Sequence, residues 1–217
     1  MSVLNEMQIR RRIEETDFDR KLLVTPLLTE GQIGPASVDI RLGSTIIVPK
    51  RTYVESQDVT QASIARQVES RRYSRIRLRY HSKFVLHPNE LILAATFEYL
   101  SLPTDLCCTI ASRSSWGRLG LIIATASVVQ PGYKGCLTLE LVNVSESPIV
   151  LYPGLLVGQL VFFDVEAPKQ QKEGEKVTST YQGRYICPTE ADLPRFYTKE
   201  HLDDEMAFWG PSNKSSH

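Results

Sequence analysis

The sequence predicts an all-β protein, mainly strands with a few short helices, arranged as a barrel or a sandwich. Three observations predict it. Between residues 84 and 163 the chain is a succession of short strand-like runs: FVL, LILAATF, CCTIA, LIIATASVV, CLTLELVN, IVLY and LVGQLVFF. Pro or Gly breaks separate several of them, at His87-Pro88-Asn89, Pro131-Gly132 and Pro153-Gly154. Closely spaced short strands with such breaks are the pattern of barrels and sandwiches. Upstream, two stretches alternate with a period of two, which gives a strand two distinct faces. One sets Val38, Ile40 and Leu42 on a common face; the other sets Arg75, Arg77 and Arg79 against Ile76, Leu78 and Tyr80.

Each element follows in order. Residues 5–15 (NEMQIRRRIEE) place Ile9 and Ile13 one helical turn apart, with Asn5 as a cap and Gln8 three residues later as its reciprocal partner. GPASVDIRLGSTIIV (34–48) reads as a strand opened by Gly-Pro. Residues 55–70 are polar and weakly periodic, a loop or insertion with a short helix. RYSRIRLRYHSKFVL (72–86) forms a strand whose arginine face suits solvent better than nucleic acid. The strand-rich part completes a domain over residues 1–168. Pro168 then leads into KQQKEGEK (169–176), a flexible linker with no core-forming residue. The tail to residue 217 carries Tyr181, Tyr185, Phe196, Tyr197, Phe208 and Trp209, aromatics that need a surface to pack on.

Composition narrows the function. The 217 residues carry 25 Lys plus Arg and 25 Asp plus Glu, a formal charge of zero. A dedicated nucleic-acid binder carries a basic excess, so none is expected here, although a local basic pocket is compatible with the balance. With 42% hydrophobic and 23% charged residues the chain is an ordinary globular protein, long enough to bury a core without staples. No run approaches the roughly 18 apolar residues of a membrane-spanning helix. The start, MSVLNEMQIRRRIEE, lacks the apolar stretch of a secretory signal. Of Cys107, Cys108, Cys136 and Cys187, the adjacent pair fits alternate faces of a strand rather than a disulfide framework. Reduced, partly buried thiols in a cytoplasmic protein are expected.

Two places carry candidate chemistry. ASRSSWGRLG (111–120) sets two arginines, two serines and two glycines between strand runs. Arg113 and Arg118 offer planar donor forks for phosphate or carboxylate, Ser114 and Ser115 add hydroxyls, and the glycines admit close backbone approach. A polar turn with surface arginines is the alternative reading of the same residues. In CLTLELVN, Leu137, Leu139 and Leu141 share one face, and Cys136, Thr138, Glu140 and Val142 the other. Glu140 therefore sits on a wetted face or in a polar pocket.

The sequence resembles the dCTP deaminases, within the wider dUTP diphosphatase superfamily. The resemblance spans about residues 4–187 and is carried by GPASVDIRLG (34–43), LHPNELILAATFEYLSLPTDL (86–106), RSSWGRLGL (113–121), ATASVVQPGYKGCLTLELVN (124–143), LYPGLLVGQL (151–160) and TYQG (180–183). It implies a distorted, jelly-roll-like β-barrel of the dUTPase type, assembled as a homotrimer whose sites take groups from neighbouring subunits. It implies Glu140 as the catalytic glutamate and Arg118 as the arginine that orients water and keeps Glu140 ionised. Ser114 joins the catalytic polar network, and Arg113 and Ser115 contact phosphates. Ala126 lies in a strand whose backbone lines the cytosine pocket, and Gln130 and Tyr133 stand beside the deoxyribose. Tyr181 and Arg184 belong to a segment, Thr180 to Arg184, that closes over a triphosphate accompanied by magnesium.

The implied reaction is zinc-independent hydrolysis of dCTP to dUTP and ammonia. A zinc deaminase needs His-x-Glu with Pro-Cys-x-x-Cys, and His81, His87, His201 and His217 start no such motif. Three other readings share parts of this pattern: a non-catalytic nucleotide-binding relative, a deaminase of an altered pyrimidine nucleotide, and a dUTP diphosphatase. The last is disfavoured by Gln130, which hydrogen-bonds but cannot serve as a base.

Overall fold

A computed structural model of the chain describes residues 2–50, 73–165 and 187–193. They fall almost wholly in one compact unit, Met1–Val48 with Arg75–Asp192; a second unit combines Pro49–Ser74 with Leu193–His217. The expectations for residues 55–70, for the linker at 169–176, for the closing segment and for the tail aromatics lie outside the described residues.

Helix α1 (Glu6–Glu14) opens on the expected capping box, Asn5 and Gln8 each accepting the other's backbone N–H. Of its residues only Ile9 is buried. Arg12 grips both oxygens of Asp105 and pins the helix to the sheet. The strands are β1 (Leu23–Thr25), β2 (Val38–Pro49), β3 (Tyr73–Arg77), β4 (Phe84–Leu86), β5 (Leu91–Ser101), β6 (Leu106–Ser112), β7 (Leu121–Ile123), β8 (Val128–Val129), β9 (Lys134–Asn143), β10 (Ile149–Leu151) and β11 (Leu156–Asp164), with a short helix α2 (Ser114–Leu119) after β6. Nine of them form one sheet in the order β7-β9-β5-β2-β11-β6-β8, with β1 on β5 and β3 on β2; β4 and β10 pair separately. The all-β expectation holds. Each strand-like run forms a strand, except that LIIATASVV divides into β7 and β8, and the single strand expected over 72–86 divides into β3 and β4, which belong to different sheets.

The alternation of the sequence decides what is buried. Val38, Ile40 and Leu42 of β2 and Leu137, Leu139 and Leu141 of β9 face the core, with Phe162 of β11 among its largest members. Thr138, Glu140 and Val142, one step out of phase, are half-buried on the outer face. Register breaks at two neighbouring places: β2 carries extra residues between Leu42 and Ile46, and β5 between Ala95 and Tyr99. A Cβ at Gly43 would lie 2.8 Å from the Ala95 carbonyl oxygen, so only glycine lets the two strands approach there. Where the β5 bulge leaves β9 without a ladder partner, the Thr96 hydroxyl accepts the Leu137 N–H at 2.9 Å and donates to the Glu98 carbonyl at 2.7 Å.

Residues 187–192 run alongside the near end of β9, whose far end is covered by β7. Cys187 N–H donates to the Lys134 carbonyl at 3.0 Å, and Cys136 N–H to the Pro188 carbonyl at 2.6 Å. Asp192 N–H reaches the Thr138 hydroxyl at 3.0 Å. Gly135 holds φ at +143°, and a Cβ there would come within 2.4 Å of Pro188 Cδ. Ala191 is buried, and the Glu190 carboxylate accepts from both Arg75 and Arg77 at 2.8 Å. The arginine face of β3, expected to be merely solvated, is thus partly engaged by this strap.

Among the described residues one ion pair is deeply buried. Arg41 Nη1 lies 3.0 Å from Glu98 Oε1, with side chains 9% and 1% exposed. Glu98 also accepts the Arg41 backbone N–H at 2.8 Å and Gln32 Nε2 at 3.0 Å. A buried carboxylate is tolerated only when its lone pairs are filled in this way.

Candidate active site

Glu140 stands on the outer face of β9, opposite Leu93 of β5. Its backbone is held from the other side by the segment that leaves β7. Ala124 N–H donates to the Glu140 carbonyl at 2.7 Å, and Glu140 N–H donates to the Thr125 hydroxyl at 2.9 Å. The Thr125 hydroxyl reaches the Thr138 carbonyl at 3.5 Å. A side chain therefore takes the place of a strand partner, and the β7 ladder ends there. This corrects one expectation: Ala126 is not in a strand but in the exposed loop between β7 and β8.

The Glu140 carboxylate sits between the two environments expected for it. The residue is half-buried, yet its Oε2 atom is shut off from solvent and has no hydrogen-bond partner among the described residues. Unpaired buried carboxylate oxygens are costly, and their persistence calls for an explanation.

Helix α2 carries the arginine–serine segment. Trp116 anchors it, packing on the core and donating Nε1–H to the Leu156 carbonyl at 2.7 Å. The helix ends on Gly120, in the left-handed region at φ +90°, where a Cβ would also meet Ser145 Cβ at 2.6 Å. Pinned at both ends, α2 leaves Ser114, Ser115 and Arg118 exposed. Arg118 has no ion pair among the described residues, so the expected pairing with Glu140 is not made within one chain. Arg113, just before the helix, is half-exposed and its Nη1 lies 2.8 Å from Asp39 Oδ2.

The remaining predicted residues separate. Gln130 is exposed at the turn after β8, where its carbonyl accepts the Tyr133 N–H at 3.2 Å. Tyr133, expected beside the sugar, is a core residue: its ring is buried and its hydroxyl donates to the Cys136 carbonyl at 2.9 Å. The Pro131-Gly132 turn directs that ring inward. Tyr181 and Arg184 lie outside the described residues. Asp39 and Thr125 escaped the sequence reading; the Asp within SVDIRLG was a signal only of a strand.

Among the described residues no cluster of three His, Cys, Asp or Glu could hold a metal ion, and no helix is long and apolar enough to cross a membrane. A family model described as dCTP deaminase-like matches residues 3–165. The dCTP deaminase of Halorubrum lacusprofundi is 38% identical over 182 residues, covering 83% of this chain and 86% of that protein. The dUMP-forming dCTP deaminase of Methanobrevibacter smithii is 38% identical over 192 residues, covering 87% and 93%. The fold matches the 2′-deoxycytidine 5′-triphosphate deaminase from Agrobacterium tumefaciens with a TM-score of 0.56 at 23% identity, over 76% of this chain and 48% of that one, so the chain spans about half of that structure's length.

Proposed function

The chain belongs to the dCTP deaminase-like family, and we propose that it hydrolyses dCTP to dUTP and ammonia with Glu140 as the general base. The observation that carries this reading is the Glu140 Oε2 atom, buried and unpartnered on a half-buried face. A carboxylate held ready in this way can take a proton from water as the water adds to C4 of cytosine. Glu140 then delivers that proton to N3. It takes the second proton from the hydroxyl now on C4 and passes it to the departing amino group, which leaves as ammonia, so the carboxylate ends the cycle as it began.

Arg118 supports the role expected for it if it serves the Glu140 of a neighbouring subunit. The outer face offers a place for such a neighbour: Leu91, Val142 and Ile122 stand in one row across β5, β9 and β7, next to Glu140, and Leu91 and Ile122 are 42% and 43% exposed. An apolar row beside a functional group is a surface that association covers. A homotrimer places Arg118 and Ser114 of one copy against Glu140 of the next. Arg113 and Ser115 take phosphate oxygens, and Tyr181 and Arg184 would meet the nucleotide from the C-terminal side. Gln130 offers hydrogen bonds to the sugar. The arginines and serines suit phosphate oxygens rather than a resident cation, so magnesium enters on the triphosphate of the substrate. Thiols without disulfide partners suit the cytoplasm.

Incubation with each deoxynucleoside triphosphate and magnesium, followed by identification of products, tests the reading. dUTP and ammonia from dCTP are the expected outcome. The M. smithii relative is named as dUMP-forming; diphosphate with dUMP would place this chain with it, against the absence of a carboxylate at Gln130. No release of ammonia from any of them overturns the proposal.

A further inference from the structure

We propose that Asp39 is a positioning residue for phosphate recognition, fixing the direction in which Arg113 presents its remaining donors. The inference rests on the reading of Arg113 as a phosphate contact. Asp39 lies on β2 and Arg113 follows the end of β6, with β11 between them. The register Asp39↔Gln159↔Ala111 and the hydrogen bond from Arg113 N–H to the Val157 carbonyl place the two residues diagonally across the intervening strand. Two strand spacings are about 9–10 Å, a distance that only a long side chain spans. Arg113 does so and ends 2.8 Å from Asp39 Oδ2.

The two partners differ in rigidity. Asp39 is flanked by the fully buried Val38 and Ile40, and its carbonyl accepts Gln32 Nε2 at 2.9 Å. It is a fixed anchor. The Arg113 side chain is 38% exposed and rotamer-rich, and among the described residues Asp39 is its one ion-pair partner. One carboxylate oxygen occupies Nη1, which leaves Nε and Nη2 of the planar fork to an incoming anion.

Charge alone argues for the opposite outcome, because a carboxylate beside a triphosphate repels it and its removal would tighten binding. At a half-exposed site that repulsion is screened by solvent and salt, whereas the loss of a fixed orientation is not. Removing the Asp39 charge therefore weakens binding, and only for ligands that carry the phosphates.

The test is a double-mutant cycle on the full-length protein with dCTP and magnesium: Asp39→Asn, Arg113→Ala and both together. Asp39→Asn should raise KM about fivefold, within the range of couplings between contacting residues, while kcat stays within about twofold. On the Arg113→Ala background it should add nothing. Asp39→Glu keeps the charge and moves it, and should raise KM as well. Titration with inorganic triphosphate should show the same loss, and deoxycytidine inhibition should not change. A parental KM in Asp39→Asn, or an equal loss with and without Arg113, overturns the inference. If Arg113→Ala itself leaves KM unchanged, the phosphate role of Arg113 falls, and the positioning role falls with it.

Discussion

Two arginine–glutamate sets in this protein have been treated in opposite ways. Arg41 and Glu98 are buried together, and the carboxylate collects donors from the guanidinium, from a backbone N–H and from Gln32. Glu140 keeps one buried oxygen with no partner, while Arg118 stands exposed with no ion pair among the described residues. The difference lies in where the chain turns its polar groups. The first set closes on itself and holds the sheet where β2 and β5 lose register. The second is left open among the described residues, and under the proposed function substrate or a second copy completes it.

That contrast can be broken at either end. Glu98→Ala should cost about 3–5 kcal/mol of stability, because it leaves Arg41 buried and uncompensated; urea unfolding measures it, and a parental midpoint would show the pair to be dispensable. Glu140→Gln should reduce deamination by about a hundredfold or more, which is about 2.7 kcal/mol in the barrier. It should leave unfolding stability unchanged or slightly higher, since the buried, unpartnered end of the side chain loses its charge while keeping its size. A marked loss of stability in this variant would place Glu140 in the structural set. Arg118→Ala should also impair turnover, and the sharper experiment mixes it with Glu140→Gln after partial unfolding and reassembly. If Arg118 serves a neighbour, mixed assemblies regain activity that neither variant has alone. Unchanged background activity after mixing would confine both residues to one subunit.

The smallest effect concerns groups kept neutral by burial. Burial pushes the Cys108 thiol far above its ordinary value of 9.0, and the neighbouring Cys107 adds to the shift. With the folded pKa raised, this contribution is complete below pH 9.0 and is lost as pH rises beyond it. Stability should fall on the order of 1 kcal/mol by about pH 10, and Cys108→Ala should flatten that part of the profile.

Much of the fold was legible because the alternation in SVDIRL and CLTLEL reports directly which face is buried, and the Asn5–Gln8 capping box reports a helix start. The division of LIIATASVV was not, because a period of two continues through Ala124–Ser127 while the Thr125 hydroxyl takes over a ladder bond. Glu140 was legible as an outward-facing carboxylate, but not its buried Oε2, which depends on neighbouring strands. The Asp39–Arg113 pair spans three strands and 74 positions, beyond any local pattern. The strap at 187–192 was hidden for another reason: two of its ties to β9 are backbone hydrogen bonds, which leave no mark on residue type, and its Glu190 pairs with arginines more than 110 positions away.

That strap has a consequence for anyone who trims the chain to its family boundary. Ending the protein near Val165, where the family match stops, would leave the Lys134 carbonyl and the Cys136 N–H without the partners supplied by Cys187 and Pro188. A bared strand edge is a template for pairing with other chains. The shortened protein would carry the whole of β9 with Glu140 and still tend to aggregate, its β9 edge recruiting the edges of neighbours in place of its own lost segment.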